Sequence, residues 1–214
     1  MIKQSILKNI IFLIFTVIIL NQKIHAENIN FTKEQIETIK KIDSLYNNNK
    51  TLKSKFTQID TNGEKLNGFM ILSRPFNARV EYFNSDTIII SNKNTITIQD
   101  KLTHNKSYIP MNATPLNFII GDQISLLDES KIKIVNYQEI DNNIIITIVS
   151  SKFYNLGTLT MIFDKSNNLL KEWIILNGKN TNRIIFNNPE ISNKNLSSSF
   201  FNVHRIKNID FNSI

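Results

Sequence analysis

From residue 51 onward the chain runs on a period of two. Ile96 and Ile98 alternate with Thr95, Thr97 and Gln99, the pattern of a half-buried strand. Successive side chains in a strand point to opposite faces, so this spacing separates an apolar face from a polar one. Similar strand-like runs occupy 51–60, 66–73, 77–83, 87–91, 106–109, 132–139, 143–150, 156–164, 169–177 and 180–187. Short polar groups part them: Asn62-Gly63, Asn84-Ser85-Asp86, Asn92-Lys93-Asn94, Asp141-Asn142, Ser166-Asn167-Asn168 and Asn177-Gly178. Asn and Gly accept the positive φ that hairpin turns demand. Regular strands joined by short turns predict an antiparallel meander. Some ten or eleven strands are too many for a flat sheet, so strong curling or partial closure is expected.

Helical signals occur at two places. In FTKEQIETIKKIDSLY (31–46), Thr32 and Gln35 form a capping box, and Phe31 and Ile36 stand where a hydrophobic staple would form. Ile36, Ile39, Ile42 and Tyr46 then make one apolar stripe at helical spacing, and "NNNK" (47–50) ends the run. In ATPLNFIIG (113–121), Thr114 reads as N-cap, Pro115 as N1 and Gly121 as C′ of a short apolar helix. Ser125 to Ser130 predicts a further helical turn. With no repeat and no linker, the reading is an α+β, mainly β, single domain over 27–214.

Residues 1–26 differ from the rest. Lys3 and Lys8 precede an apolar run from Ile10 to Leu20, and "IHA" ends at Ala26. This is the pattern of a secretory signal peptide, and the run is shorter than the roughly 20 residues of a spanning helix. An uncleaved anchor is the alternative reading. The mature chain is expected to start near Glu27 and to be exported, to the periplasm or outside. Without Lys3, Lys8 and Lys23 the charge balance is 22 basic against 18 acidic residues, a net +4. The lysines are scattered and form no basic stripe, so nucleic acid is not an expected partner.

The sequence is poor in signals of catalysis. The chain has no Cys, which removes disulfides, thiolate metal sites, a thiol nucleophile and a lipid-modified N-terminal Cys. His104 and His204 have no neighbours at metal-ligand spacing, and neither a G-x-S-x-G elbow nor a Gly-rich phosphate loop is present. No cofactor is expected. What stands out is apolar surface. Gly68–Leu72 and Ile144–Val149 carry apolar residues toward both faces. A curled sheet of that kind needs one face covered, and the two helical segments are amphipathic enough to be its lid.

The stretch GFMILSRPFNARVEYF (68–83) sets Arg74 and the strand breaker Pro75 between two core-like runs. A plain turn with a solvated Arg is one reading. The order of motifs gives another. After the capped helix comes KFTQ with Phe56 and Gln58, then GFMILSRP with Gly68, Arg74 and Pro75, then Tyr82-Phe83 and DTIIIS. IPMNATPLNFII follows, and IIFNN and Phe200 close the pattern. Each motif is short, but their order behind a signal peptide resembles the LolA family of periplasmic outer-membrane lipoprotein carriers over nearly the whole mature chain. Departures are Lys93-Asn94 where the family often has Asp-Gly, Gln99-Asp100 where it often has Tyr-Asp, and Ala78 where a bulky apolar residue is common.

The resemblance implies an unclosed antiparallel β-barrel of about 11 strands, with a lid of short α-helices over a hydrophobic cavity. It implies a monomeric carrier without catalysis. Its ligands would be the acyl chains of lipoproteins, taken from an inner-membrane lipoprotein-releasing transporter and passed to an outer-membrane receptor. Arg74 would latch the lid. Ile36, Ile39 and Phe118 would line the cavity from the lid. Phe56, Met70, Leu72, Val80, Tyr82, Ile88, Ile90 and Trp173 would line it from the sheet. One rival is a lipid- or lipoprotein-sensing envelope module on the same fold. Another is an enzyme acting on a hydrophobic small molecule, which would draw on Glu81, Glu172 and Arg74.

Overall fold

The computed structural model describes residues 29–114, 117–151, 157–204, 206 and 209–211. The expected signal peptide lies outside these residues, as does Pro115. Helix α1 (Lys33–Asn48) starts as its sequence demands: the Thr32 hydroxyl accepts from the Gln35 N–H, and the Gln35 side chain accepts from the Thr32 N–H. Phe31 packs edge-on against Tyr137, with ring centroids 6.1 Å apart. Ile39, Ile42 and Tyr46 are buried and Ile36 is half-buried. The short helix α2 (Asn117–Ile120) is followed directly by Gly121. The Thr114 hydroxyl donates back to the Met111 carbonyl, closing a 3₁₀ turn at Met111–Ala113. Ser125 to Ser130 forms turns rather than helix, because Asp128 bonds both the N–H and the hydroxyl of Ser130.

The strands are β1 (Thr51–Ile59), β2 (Lys65–Ser73), β3 (Asn77–Tyr82), β4 (Thr87–Asn92), β5 (Thr95–Asp100) and β6 (Lys106–Pro110). After the helical crossover come β7 (Ile132–Ile140), β8 (Asn143–Ser150), β9 (Thr158–Asp164), β10 (Leu170–Asn177) and β11 (Asn180–Ser192). They form one 11-stranded sheet in the order β6-β5-β4-β3-β2-β1-β11-β10-β9-β8-β7, antiparallel throughout. The chain leaves the centre at β1, steps outward to β6, crosses the concave side, where residues 111–114 and 117–131 are described, and steps back from β7 to β11. The sheet curls without closing: β6 and β7 are its two edges. Turn chemistry matches the sequence, with Gly63, Lys93, Asp141, Asn168 and Gly178 all at positive φ.

Strand β11 runs five residues past the expected end at 187. Ser54 of β1 faces two residues, Asn188 and Pro189, because the pairing shifts between Lys53–Glu190 and Lys55–Asn187. Asn188 takes φ 56° in this bulge. A bulge is a place where a strand tolerates Pro, so the Asn-Pro pair bends β11 without ending it.

Two apolar clusters lie on the two faces of the sheet. The larger fills the concave face: Phe56, Met70, Leu72, Val80, Tyr82, Ile146, Met161, Trp173 and Phe186 from the strands meet Ile39, Ile42 and Tyr46 of α1. The smaller lies on the outer face, where Phe69, Ile71, Ile88 and Ile90 pack with Phe201. Leu196, Phe200, Val203, Ile206, Ile209 and Phe211 join it, so the C-terminal tail folds back across the outside of β2 and β4.

Candidate functional site

The concave face is covered by α1 and by the crossover segment that contains α2. The two covers are tied together. The Asn47 side chain takes both polar groups of Ile124: its Nδ2 donates to the carbonyl at 2.7 Å and its Oδ1 accepts from the N–H at 2.9 Å. One turn earlier, both carboxylate oxygens of Asp43 accept from the Leu126 N–H, at 3.2 and 3.1 Å. Partial burial pushes the Asp43 carboxyl up to about 6, against the opposing pull of the Leu126 N–H. Residues four apart on a helix share a face, which is why Asp43 and Asn47 meet one segment. Tyr46 reaches the sheet instead: its oxygen accepts from the Leu170 N–H at 2.7 Å.

Arg74 joins the cover to the sheet. The last turn of α1 carries no basic residue, and its terminal carbonyls need partners. Asn49 Nδ2 donates to the Leu45 carbonyl at 2.9 Å, and the Arg74 guanidinium adds two bonds, Nη2 donating to the Asn49 carbonyl and Nη1 to Asn47 Oδ1 at 3.3 Å. The Arg74 backbone N–H donates to the Lys50 carbonyl at 2.8 Å. Two residues on, the Phe76 N–H donates to the Ile120 carbonyl at the end of α2, at 2.6 Å. The β2–β3 turn therefore holds the C-terminal ends of both helices. A cation there also complements the negative end of the α1 dipole. Burial lowers the Arg74 pKa from its ordinary value, and the nearby Tyr46 oxygen works against that shift.

Beneath the cover, among the described residues, apolar side chains from the helix, the crossover and the sheet meet. Ile42, Tyr46, Phe118, Ile124, Leu126 and Met161 are among the residues around a cavity of only about 20 Å³. A single water needs roughly 10–15 Å³ of such space, so this cavity has room for little more than one. A larger open cleft, about 380 Å³, lies between the crossover and the β7–β8 edge, with Phe76, Asp122, Lys131, Ile132 and Ser150 on its walls. Phe118, Ile124 and Leu126 line both spaces and divide them.

The expected site residues fall into three groups. Phe56, Met70, Leu72, Val80, Tyr82 and Trp173 share the concave cluster with Ile39, and Phe118 packs against it. Ile36 is half-buried. Ile88 and Ile90 are not with them: they point to the outer face, under the tail. On β4 it is Ile89 that joins the concave cluster, because alternate residues take opposite faces. Sequence reasoning missed Asp43, Asn47, Phe76, Ile124 and Leu126. The spacing of Asp43 and Asn47 on α1 was the available signal, obscured by the Asn-rich run that follows.

Few polar groups share the concave face. Tyr82 donates to Gln58 Oε1 at 2.8 Å, and burial raises the Tyr82 pKa. The acids a catalytic reading would use lie outside. Glu81 pairs with Arg79 and Lys101 beneath the tail, and Glu172 pairs with Arg183. Among the described residues, no three acidic or His side chains converge as metal ligands would, and no helix is long and apolar enough to cross a membrane.

Residues 47–204 match the family of the outer membrane lipoprotein carrier protein LolA. The chain belongs to the LolA family. No protein of curated function matches it in sequence. Among solved structures it is similar to an uncharacterized conserved protein from Thermus thermophilus, with 10% identity and a TM-score of 0.48 over 79% of this chain and 93% of that one. It is also similar to a LolA superfamily protein from Nitrosomonas europaea, at 5% identity and TM-score 0.42 over 77% and 97% of the two chains. The lipoprotein LppX of Mycobacterium tuberculosis matches at 9% identity and TM-score 0.37 over 73% and 95%.

Proposed function

We propose that this LolA-family chain is a periplasmic carrier that holds the acyl chains of lipoproteins on its concave face and moves them from the inner to the outer membrane. Residues 1–26 direct its export. An inner-membrane transporter loads it and an outer-membrane receptor unloads it. Each buried CH₂ of a lipid chain is worth about 0.8 kcal/mol, so an acylated protein does not cross water unaided.

One observation carries this reading. The larger apolar cluster among the described residues lies under a cover whose polar ties gather toward the C-terminal ends of its two helices, at Arg74, Asn47, Asp43 and Phe76. A carrier needs a face that binds chains strongly when open and seals when empty. A cover with few ties lets the ligand shift that balance, because the closed state need be favoured by only a few kcal/mol. Arg74 is the latch, and Phe118 is the residue that moves aside as the chain enters.

The test is release. Mature protein is incubated with spheroplasts or with membranes bearing the transporter. Lipoproteins are expected in the soluble fraction, bound one-to-one to this protein. If none is released in complex with it, the carrier reading fails.

A further inference from the structure

We infer that Trp173 selects ligands by the carbonyl at the head of a fatty acyl chain, as a hydrogen-bond donor set into the apolar floor. This rests on the reading of the concave face as an acyl-chain site, and adds which atoms of the chain the site recognises.

Trp173 is the only tryptophan of the chain and is 3% exposed. It lies in the concave cluster on β10, flanked across the ladder by Met161 of β9 and Ile184 of β11. Met161 lines the cavity under the cover. Phe186 stands perpendicular to the indole, with centroids 5.0 Å apart. Among the described residues, the indole Nε1 has no hydrogen-bond acceptor. Buried donors are nearly always paired, and an orphaned one is costly. The other polar pair of this face does not relieve it: Tyr82 donates to Gln58 Oε1, and neither group accepts from the indole.

An alkyl chain offers nothing to such a donor. A fatty acyl ester does, because its carbonyl sits at the boundary between the chain and the polar head. Closing the empty face leaves the N–H unpaired, and loading an acyl chain pairs it. The same indole therefore penalises the empty state and rewards the loaded one. It separates acyl esters from hydrocarbon or ether lipids of equal length, as sites built to pair a polar group reject ligands that lack it.

The test compares dioctanoylglycerol with dioctylglycerol, its ether analogue without the carbonyls, on the full mature protein. A diacylated lipopeptide and its ether-linked twin are run beside them. The wild-type protein is expected to bind an ester form about fivefold more tightly than its ether form, the worth of one hydrogen bond. The Trp173 emission should shift to the red with the ester and not with the ether. In Trp173→Phe the preference should vanish while both lipids still bind. Preference in the lipopeptide pair assigns the carbonyl to protein-borne chains, and preference in the glyceride pair alone to free lipid; each supports the inference. Equal binding within both pairs overturns it and leaves the N–H to the Phe186 ring. Failure of all four to bind overturns the acyl-site reading, and this inference with it. The wild-type comparison stands even if the variant does not fold.

Discussion

The β2–β5 part of the sheet is covered on both faces, and the two covers are fastened differently. On the outer face the tail crosses a small cluster of Phe69, Ile71, Ile88 and Ile90. Beside that cluster, Arg79 is 1% exposed. It donates to Glu81 at 2.7 Å and to the Phe200 carbonyl of the tail at 3.0 Å, and Lys101 completes the pairing of Glu81 at 3.0 Å. Lys106 donates to the Val203 carbonyl at 2.8 Å. At the far end Phe211 lies on Phe69, with centroids 5.3 Å apart. Removing the tail would strand a buried charge cluster. On the concave face the cover spans a much larger apolar area, but its ties are partly exposed and sit at helix ends. Losing them returns polar groups to water at small cost. The lesson is that apolar area does not decide how firmly a cover is fastened. What decides is whether the polar groups beneath it have water as a second partner.

That contrast can be broken, and the largest effect should come from the outer face. Phe201→Ala is expected to cost about 4 kcal/mol in urea unfolding, with the affinity of the folded protein for acyl ligand unchanged. A matching loss of affinity would show that the two faces are coupled. Arg79→Met should cost about 3 kcal/mol, because it takes the buried partner of Glu81 and leaves only the half-buried Lys101. If denaturation instead shows a neutral change, the outer cover is held by packing alone.

The concave side should respond in binding more than in stability. Arg74→Leu removes charged hydrogen bonds to Asn49 and Asn47 worth about 2 kcal/mol in the closed state. A ligand that binds the open state gains what the closed state loses, so its affinity should rise roughly tenfold or more and its release should slow. Titration with a fluorescent fatty acid checks this; an unchanged constant would return Arg74 to the role of a turn residue.

The smallest effect is expected at Asp43. Its carboxyl titrates near 6 in the folded chain, above the roughly 3.9 of an unfolded Asp. The folded state therefore binds the proton more tightly. Asp43 adds stability that is full below about pH 4 and lost as pH rises through about 6. Asp43→Asn keeps an acceptor for Leu126 without the charge. After allowance for solvent screening, it should raise the melting temperature at neutral pH by about 2 °C. It should also flatten the melting temperature between pH 4 and 6, and a slope as steep as that of the wild type would refute the assignment.

The sheet was largely legible in the sequence, because period-two runs and Asn/Gly turns are local signals. The capped start of α1 was legible for the same reason. Arg74 at the lid-helix end came from a motif, and the contact with Asn49 gives it a physical cause. Ile88 and Ile90 were misplaced because β4 is apolar on both faces, and alternation carries no sign when neither face is polar. The tail explains that double apolarity, yet it comes from more than a hundred residues away. The ties of Asp43 and Asn47 end on backbone groups of Leu126 and Ile124, which any residue could supply, so only the spacing on the helix, and nothing in the partner segment, marks them.

The strand order has a consequence for how the chain reaches this state. Every pairing but one joins strands that follow each other in sequence. These nine are local hairpins or short-looped neighbours, cheap in loop entropy and quick to form. The exception seals β1 to β11, Thr51 against Ser192. Two half-sheets, β1–β6 and β7–β11, can thus assemble independently, each with its apolar face bare, until that one seam zips. From its long sequence separation the seam is expected to be the late, slow event of folding, and before it closes Trp173 and Phe56 belong to different half-sheets. The concave floor is then the last part of the molecule expected to form, and a newly made chain is most exposed to aggregation in the interval before the seam closes.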